Sequence, residues 1–238
     1  MIKLLILPFL FVTSITIAQT TITGKIEAYP GEKADVLGRI VYEKLGTIDQ
    51  NGAFSINLDK EYFEKIRDTM KIASQNSGGS MRLPSLNDTF ACATNSLKAN
   101  NSDQIYLQLL NFDGLILANM EEKKMYGHLK AVSSNQFAQS HVFRYQNEAK
   151  KGYMVDWYYF PEPASLVGTC STQKITDNGE NYEQKSHINL NFKQGWNLVK
   201  YEVEDTYTSK NGKKYIKELS YTTLNNLPED VKYLFVGS

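Results

Sequence analysis

GYMVDWYYF, residues Gly152–Phe160, is the stretch that decides the fold class. Its aromatic and β-branched side chains are typical of strands, and Pro161 and Pro163 end the run. Neighbouring residues of a strand point to opposite faces, so the four aromatic residues 157–160 divide between two faces. The stretch predicts a β-strand and favours a mainly β protein.

The aromatic pair on each face of this strand has two interpretations. If Trp157 and Tyr159 face the core, a sheet with one wet face exposes Tyr158 and Phe160. Exposed aromatic side chains bind sugar rings or partner proteins, so Tyr158 and Phe160 are candidate ligand or partner contacts. The alternative is a strand buried on both faces, between two sheets or under a helix.

Further alternating runs surround this strand, with Asn-Gly and Asp-Gly dipeptides between them. The dipeptides at 113–114 and 211–212 each stand between alternating runs and predict hairpin turns. Residues 140–145 predict another strand, and residues 178–185 predict a polar loop. Many short strands with such turns predict an antiparallel sandwich or barrel over residues 104–238.

The first part of the chain predicts a smaller β unit over residues 19–60. Asn51 and Gly52 stand between two alternating runs, and both tolerate the positive φ of a type I′ hairpin turn. Four strands bury too little surface to stand alone, so this unit must pack on something downstream.

Short motifs in this unit resemble the carboxypeptidase-regulatory-like (transthyretin-like) β-sandwich modules of exported bacterial proteins. The motifs are Gly24-Lys25-Ile26, Ala34-Asp35-Val36, Gly46-Thr47-Ile48-Asp49 and Asn51-Gly52-Ala53-Phe54-Ser55-Ile56. The resemblance implies an accessory module without catalytic residues. The chain departs from that pattern after Leu58, where a helix follows instead of further short strands.

A second resemblance lies near the C-terminus. The motif Leu190-x-Phe192-x-x-Gly195-Trp196-Asn197-Leu198-Val199 is similar to a segment of uncharacterised exported bacterial envelope proteins. This similarity implies an exported β protein and assigns no site.

One amphipathic helix is predicted over residues 59–73, after the first strand set. Asp59 is a suitable N-cap, and the apolar side chains fall on one face at helical spacing. That face consists of Tyr62, Phe63, Ile66, Met70 and Ala73. We expect the helix to cover a sheet and to lead into an irregular linker, the two together spanning residues 61–103.

Residues 1–18 have the order of a secretory signal peptide. Lys3 precedes a short apolar core at residues 4–12, and the small residues Thr16 and Ala18 precede the expected cleavage site. The alternative is a membrane anchor, but polar residues interrupt the run before the length of about 20 that a span needs. We therefore expect an exported protein of the periplasm, the outer surface or the medium, with no transmembrane segment after cleavage.

Composition narrows the function classes. The 26 Lys and Arg residues balance the 26 Asp and Glu residues, which argues against a nucleic-acid-binding protein because such proteins present a basic face.

Cys92 and Cys170 can pair in an oxidising compartment. Loop closure over about 78 residues would then stabilise the fold by about 4 kcal/mol. Two separate buried thiols are the alternative.

The chain lacks a convincing catalytic motif. Residues 78–82 approach GxSxG but have Arg82 in place of the last glycine, and residues 171–174 match SxxK after a strand instead of at a helix start. The histidines at 128, 141 and 187 are scattered, and no carboxylate pair is singled out. We therefore predict no catalytic residue, no metal ligand and no cofactor.

The sequence leaves three functions open. The first is a non-enzymatic binding or scaffold protein of the bacterial cell envelope, with an envelope protein or a glycan as partner. The second is a hydrolase of envelope or extracellular polymers, and the third is a carrier of a small apolar ligand. A cleft with two facing carboxylates would favour the hydrolase, and a deep internal pocket would favour the carrier.

Overall fold

A computed structural model describes residues 20–38, 40–77, 82–92, 96–109, 115–142 and 148–237. The strands are β1 (Thr20–Glu27), β2 (Ala34–Gly38), β3 (Glu43–Ile48), β4 (Ala53–Leu58), β5 (Lys98–Asn100), β6 (Leu107–Gln108), β7 (Leu115–Asn119), β8 (Lys124–Val132), β9 (Gly152–Phe160), β10 (Ala164–Ile175), β11 (Asn181–Phe192), β12 (Gly195–Thr208), β13 (Lys214–Leu224) and β14 (Lys232–Gly237). The helices are α1 (Lys60–Ser77), α2 (Leu86–Thr89) and α3 (Asn135–Val142). Within the described ranges, none of these helices has the length and apolar character that a membrane span requires.

Seven strands close into a barrel in the order β14-β1-β4-β3-β2-β7-β8, and β8 pairs back with β14. The prediction of a mainly β protein is therefore confirmed. The sheet is mixed, because β1 runs parallel to β14 and β11 runs parallel to β13. A barrel with additional strands is not clearly the sandwich that the sequence suggested.

The remaining strands extend the sheet outward from β8 in the order β9-β12-β13-β11-β10-β5. We call these six strands the outer sheet. A single residue pair, Val132 with Met154, joins β8 to β9. The barrel itself takes strands from both predicted β units, since β2 pairs with β7 and β1 pairs with β14.

One apolar core fills the barrel and continues beneath the outer sheet. Buried side chains from all seven barrel strands, from α1 and from β9 belong to one cluster. Its members include Ile22, Val36, Leu45, Ile56, Phe63, Leu117, Leu129, Trp157 and Tyr233. Since burial of apolar surface is the main driving force of folding, this shared core couples the two parts of the molecule.

The predicted amphipathic helix is confirmed as α1. The Asp59 carboxylate accepts a hydrogen bond of 2.9 Å from the backbone amide of Tyr62, as an N-cap does. The ring of Phe63 stacks on Tyr159 with centroids 4.7 Å apart. Tyr62 packs so tightly on β2 that a Cβ atom at Gly38 would lie 1.9 Å from its hydroxyl.

The three Asn-Gly hairpin turns share one geometry, which differs from the predicted type I′ turn. In the β12–β13 turn, Gly212 donates its amide to the Ser209 carbonyl at 2.8 Å, and Ser209 donates to Lys213 at 3.0 Å. Only the glycines have positive φ, at 82°, 83° and 85° for residues 52, 179 and 212. Each is a type I turn followed by a left-handed glycine. The hairpin predicted at Asn211-Gly212 is confirmed, but the type I′ assignment at Asn51-Gly52 is wrong.

Three local predictions, at residues 113–114, 140–145 and 178–185, have different outcomes in the structure. In the strand predicted over residues 140–145, residues 140–142 belong to α3, because the Ser134 hydroxyl caps that helix by accepting the Phe137 amide at 3.1 Å. Residues 143–145 lie outside the described residues. The loop predicted over residues 178–185 is a tight turn, and β11 begins at Asn181. The predicted Asp113-Gly114 turn lies outside the described residues, and the strands on either side, β6 and β7, pair with different neighbours.

A disulfide joins Cys92 to Cys170, whose Cα atoms lie 5.6 Å apart. Beside it the Ser96 hydroxyl donates to the Thr169 carbonyl at 2.6 Å. β5 adds to the outer edge of β10 in the same region. The bridge therefore ties the segment after α2 to the outer sheet.

We expect the double variant Cys92→Ala/Cys170→Ala to lose about 2–4 kcal/mol of unfolding free energy, since the unfolded chain regains the entropy of an open loop. Urea unfolding of oxidised protein measures this loss. A reductant should lower the unfolding midpoint of the parent chain and leave that of the double variant unchanged. Equal effects of the reductant on both proteins would contradict the role of the bridge.

Candidate ligand-binding groove

The predicted contact residues Tyr158 and Phe160 lie in the core, with exposed fractions of 3% and 0%. Tyr106 stacks on both rings, at 5.2 Å from Tyr158 and 5.1 Å from Phe160. Phe192 packs against Phe160 with ring centroids 4.0 Å apart. The structure thus shows the alternative arrangement, a strand buried on both faces, and these two residues offer no surface to a ligand.

A groove of about 440 Å³ lies where the barrel meets the outer sheet. β1 and β14 supply one wall, and β11, β12 and β13 supply the other. The lining residues are Thr21, Ile22, Thr23, Trp157, Asn191, Lys193, Trp196, Asn197, Leu198, Thr223, Leu224, Asn225, Leu227 and Tyr233. Junctions between two packed parts of a protein are common ligand sites, which makes this groove the candidate site.

Trp196 is the main aromatic residue of the groove. It is half-buried, and its indole nitrogen donates to the Asp59 carbonyl at 3.4 Å. Its ring meets Tyr159 edge-on, with centroids 5.3 Å apart. The second tryptophan, Trp157, is 5% exposed and lies deeper. Both tryptophans of the chain therefore line this one groove.

The turn between β11 and β12 holds Trp196 in place through the side chain of Asn197. The Asn197 amide nitrogen donates to the carbonyls of Lys193 and Gly195, each at 2.8 Å. The Asn197 amide oxygen accepts the backbone amide of Lys193 at 2.9 Å. Gly195 has a φ of 93°, a conformation that glycine adopts without steric cost.

Amide and hydroxyl groups form the rim. The Asn191 backbone amide donates to the Thr223 hydroxyl at 3.2 Å, and the Asn191 side chain donates to Asn189 at 3.1 Å. Thr23 and Asn225 are exposed, and neither side chain has a hydrogen-bond partner among the described residues. These two residues keep donors and acceptors available for a ligand.

Tyr233 contributes a third polar group without a partner within the described chain, one that is buried. Its side chain is 7% exposed, and its hydroxyl has no hydrogen-bond partner among the described residues. Burial raises the pKa of Tyr233 to about 12, so the hydroxyl keeps its proton at neutral pH. An unsatisfied buried hydroxyl is costly, which makes it a candidate partner for a ligand or a water molecule.

The charge of the groove is low. Lys193 is the single charged residue in the described lining, and no carboxylate belongs to it. A different cleft of about 490 Å³, between α3 and the ends of β10–β13, is basic instead. Four lysines line it, namely Lys150, Lys174, Lys213 and Lys214. An anionic ligand would favour that cleft, and an uncharged polar ligand would favour the groove.

The histidines are not brought together. His128 lies on β8, His141 on α3 and His187 on β11. His187 does approach two glutamates of the outer sheet, Glu204 and Glu218, closely enough to share an ion. No motif in the sequence indicates this group, because its members are neighbours only through strand pairing.

The weak catalytic motifs gain no support. Ser171 and Lys174 lie in the strand β10, so they lack the helical spacing that SxxK chemistry needs. Residues 78–81 of the GxSxG-like stretch lie outside the described residues.

Asn197→Asp should lower the unfolding free energy by about 1–3 kcal/mol, because a carboxylate oxygen would replace the nitrogen that donates to two carbonyls. Asn225→Asp is the matched control, since the Asn225 side chain makes no hydrogen bond within the described chain. Urea unfolding of both variants measures the difference. Equal stability of the two would show that the Asn197 hydrogen bonds do not hold the turn.

Comparison with known proteins identifies no relative: no family model, no curated protein and no solved structure matches the chain.

Proposed function

We propose that the protein is an exported, non-enzymatic binding protein of the bacterial cell envelope, and that its groove binds a neutral glycan. The observation that carries this proposal is the lining of the groove. Trp196, held by the β11–β12 turn, lies among amide, hydroxyl and aliphatic side chains, with Lys193 as the single cation and no carboxylate in the described lining.

A sugar presents apolar C–H faces and a periphery of hydroxyl groups. The indole of Trp196 supplies a large, rigid surface for such a face at little entropic cost. Asn225 and Thr23 supply hydrogen bonds to the hydroxyl groups, and both side chains are free to do so. Lys193 is the single charged residue of the described lining, so most of the polar contacts that the groove offers come from uncharged groups, as a neutral ligand requires.

Binding is better supported than hydrolysis. A glycosidase needs two carboxyl groups about 5–9.5 Å apart across the scissile bond, and the described lining provides neither. The carrier hypothesis needs an internal cavity for an apolar ligand. The barrel interior is instead packed with side chains from every one of its strands, and the groove is an open cleft with amide and hydroxyl groups at its rim.

Two features support export. Residues 1–18 have the order of a signal peptide, and the Cys92–Cys170 disulfide suits an oxidising compartment. We expect cleavage between Ala18 and Gln19, so intact-mass analysis of protein from an extracytoplasmic fraction should begin at Gln19. Protein that keeps Met1 in a membrane fraction would contradict this expectation.

Tryptophan fluorescence tests the glycan proposal directly, because both emitters line the groove. Neutral oligosaccharides of glucose, mannose, galactose and N-acetylglucosamine are titrated against the mature chain, with polygalacturonate as the anionic comparison. A bound neutral sugar should shield Trp196 from acrylamide quenching. Asn225→Ala should weaken its binding by about 3- to 10-fold, the value of one hydrogen bond.

The matched control is Asn181→Ala, which removes an exposed asparagine of β11 outside the groove and should bind normally. Loss of binding in Trp196→Ala, in a variant with an unchanged circular dichroism spectrum, would agree with the proposal. Failure of every neutral sugar to protect the tryptophan would overturn it. So would release of new reducing ends from a bound oligosaccharide, which would indicate a hydrolase.

A further inference from the structure

Three adjacent strands of the outer sheet bring one imidazole and two carboxylates together, away from the groove. His187 lies on β11, Glu218 on β13 and Glu204 on β12. Their candidate ligand atoms, one from each residue, all lie within 4.8 Å of one another. We call these three residues the cation cluster.

The strand register explains the approach of His187 and Glu218. β11 and β13 run parallel, with His187 opposite Ser220 and Lys185 opposite Glu218. Paired residues share a face, and residues two apart on one strand do so as well. His187 and Glu218 are therefore diagonal neighbours on one face of the outer sheet.

A bulge adds the second glutamate. The pairing of β12 with β13 shifts after Val203, so Glu204 and Asp205 both lie opposite Glu218. A β-bulge, which inserts one extra residue into a strand, changes the direction of the nearby side chains and is common next to functional sites. Here it brings Glu204 to the same group as Glu218 and His187.

The two carboxylates of the cluster lack the cations that neutralise their neighbours. Asp205 pairs with Lys151 at 3.0 Å and with Lys217 at 3.1 Å. In the described chain, by contrast, neither Glu204 nor Glu218 has an ion pair or a hydrogen bond. Two like charges held close together favour a bound cation.

The nearby lysines serve other carboxylates. Lys185, although opposite Glu218, has its ion pair with Glu183 at 3.9 Å. Lys200 forms a close ion pair with Glu202 on β12. The cluster therefore keeps its negative charge.

The position of His187 also suits a ligand. Its Nδ1 atom lies 3.3 Å from the Thr169 hydroxyl on β10. In metal sites, one ring nitrogen usually binds a neighbouring polar group, which fixes the ring while the other nitrogen binds the ion. The Thr169 hydroxyl can orient the His187 ring in this way.

We propose that His187, Glu204 and Glu218 bind one divalent transition-metal ion of the Zn²⁺ type. An imidazole in the donor set favours such ions over Ca²⁺ and Mg²⁺, which prefer oxygen ligands. Two donors of a tetrahedral ion, each about 2.1 Å from it, are about 3.4 Å apart. The ligand atoms lie within 4.8 Å of one another, so side-chain rotations that bring them about 1–1.5 Å closer complete the site. Three protein ligands leave one tetrahedral position for water or for a donor of a bound molecule.

The test is isothermal titration of the chelator-treated mature chain with Zn²⁺, followed by Ca²⁺ and Mg²⁺. We expect one Zn²⁺ per chain and little heat from the other two ions. His187→Gln and the double variant Glu204→Gln/Glu218→Gln should each weaken Zn²⁺ binding by at least about 10-fold, since each removes side chains that bind the ion directly.

Two matched controls locate the site. Glu229→Gln removes an exposed glutamate outside the cluster, and His141→Gln removes a histidine of α3; both should bind Zn²⁺ normally. Circular dichroism establishes that each variant is folded, which the exposed or half-buried positions of the cluster favour. Absence of Zn²⁺ binding, unchanged binding by the cluster variants, or equal binding of Ca²⁺ would overturn the proposal.

Discussion

The pairing of the last strand, β14, with both β1 and β8 is the constraint on which the structure depends. It closes the ring of seven strands, and a closed ring has no open edge that could pair with another molecule. The same pairing sets Tyr233 beside β1, where its ring packs edge-on against Phe54 at 4.8 Å. One wall of the groove, formed by Thr23 on β1 and Tyr233 on β14, therefore exists only because the first and last strands meet.

β9 transmits that arrangement to the outer sheet. Its alternating side chains belong to two different cores: Trp157 and Tyr159 pack with the barrel and α1, and Tyr158 and Phe160 pack with Tyr106 and the outer strands. A strand in this position must be apolar and aromatic on both faces, which accounts for its unbroken run of large side chains. The aromatic residues that suggested a binding surface instead join the two halves of the fold.

The features that could be predicted from the sequence are those determined by interactions between residues close together in the chain. The α1 helix could be predicted because Asp59 and the spacing of Tyr62, Phe63 and Ile66 act within a few turns. The turns at Asn51-Gly52 and Asn211-Gly212 were located correctly for the same reason, although only the glycines adopt positive φ. At Asn178-Gly179 a longer loop was expected than the tight turn that forms. The strand expected near Ser140 was wrong because the Ser134 cap outweighs a short alternating pattern. Barrel closure, the groove and the cation cluster join residues far apart in sequence, such as Thr23 and Tyr233, and no local pattern reports such pairings.

The register also relates the groove to the cation cluster. On β11, Asn191 lines the groove and His187 belongs to the cation cluster. On β13, Leu224 lines the groove and Glu218 belongs to the cluster. Because these pairs are an even number of residues apart, they share one face of the outer sheet. Four residues of strand separate Asn191 from His187, or about 13 Å. Asn189 and Thr222, paired across the two strands, continue this face with polar side chains between the two sites. A chain-like ligand seated on Trp196 would therefore extend along the strands toward the open coordination position of the cluster, whereas a single sugar would occupy the groove alone.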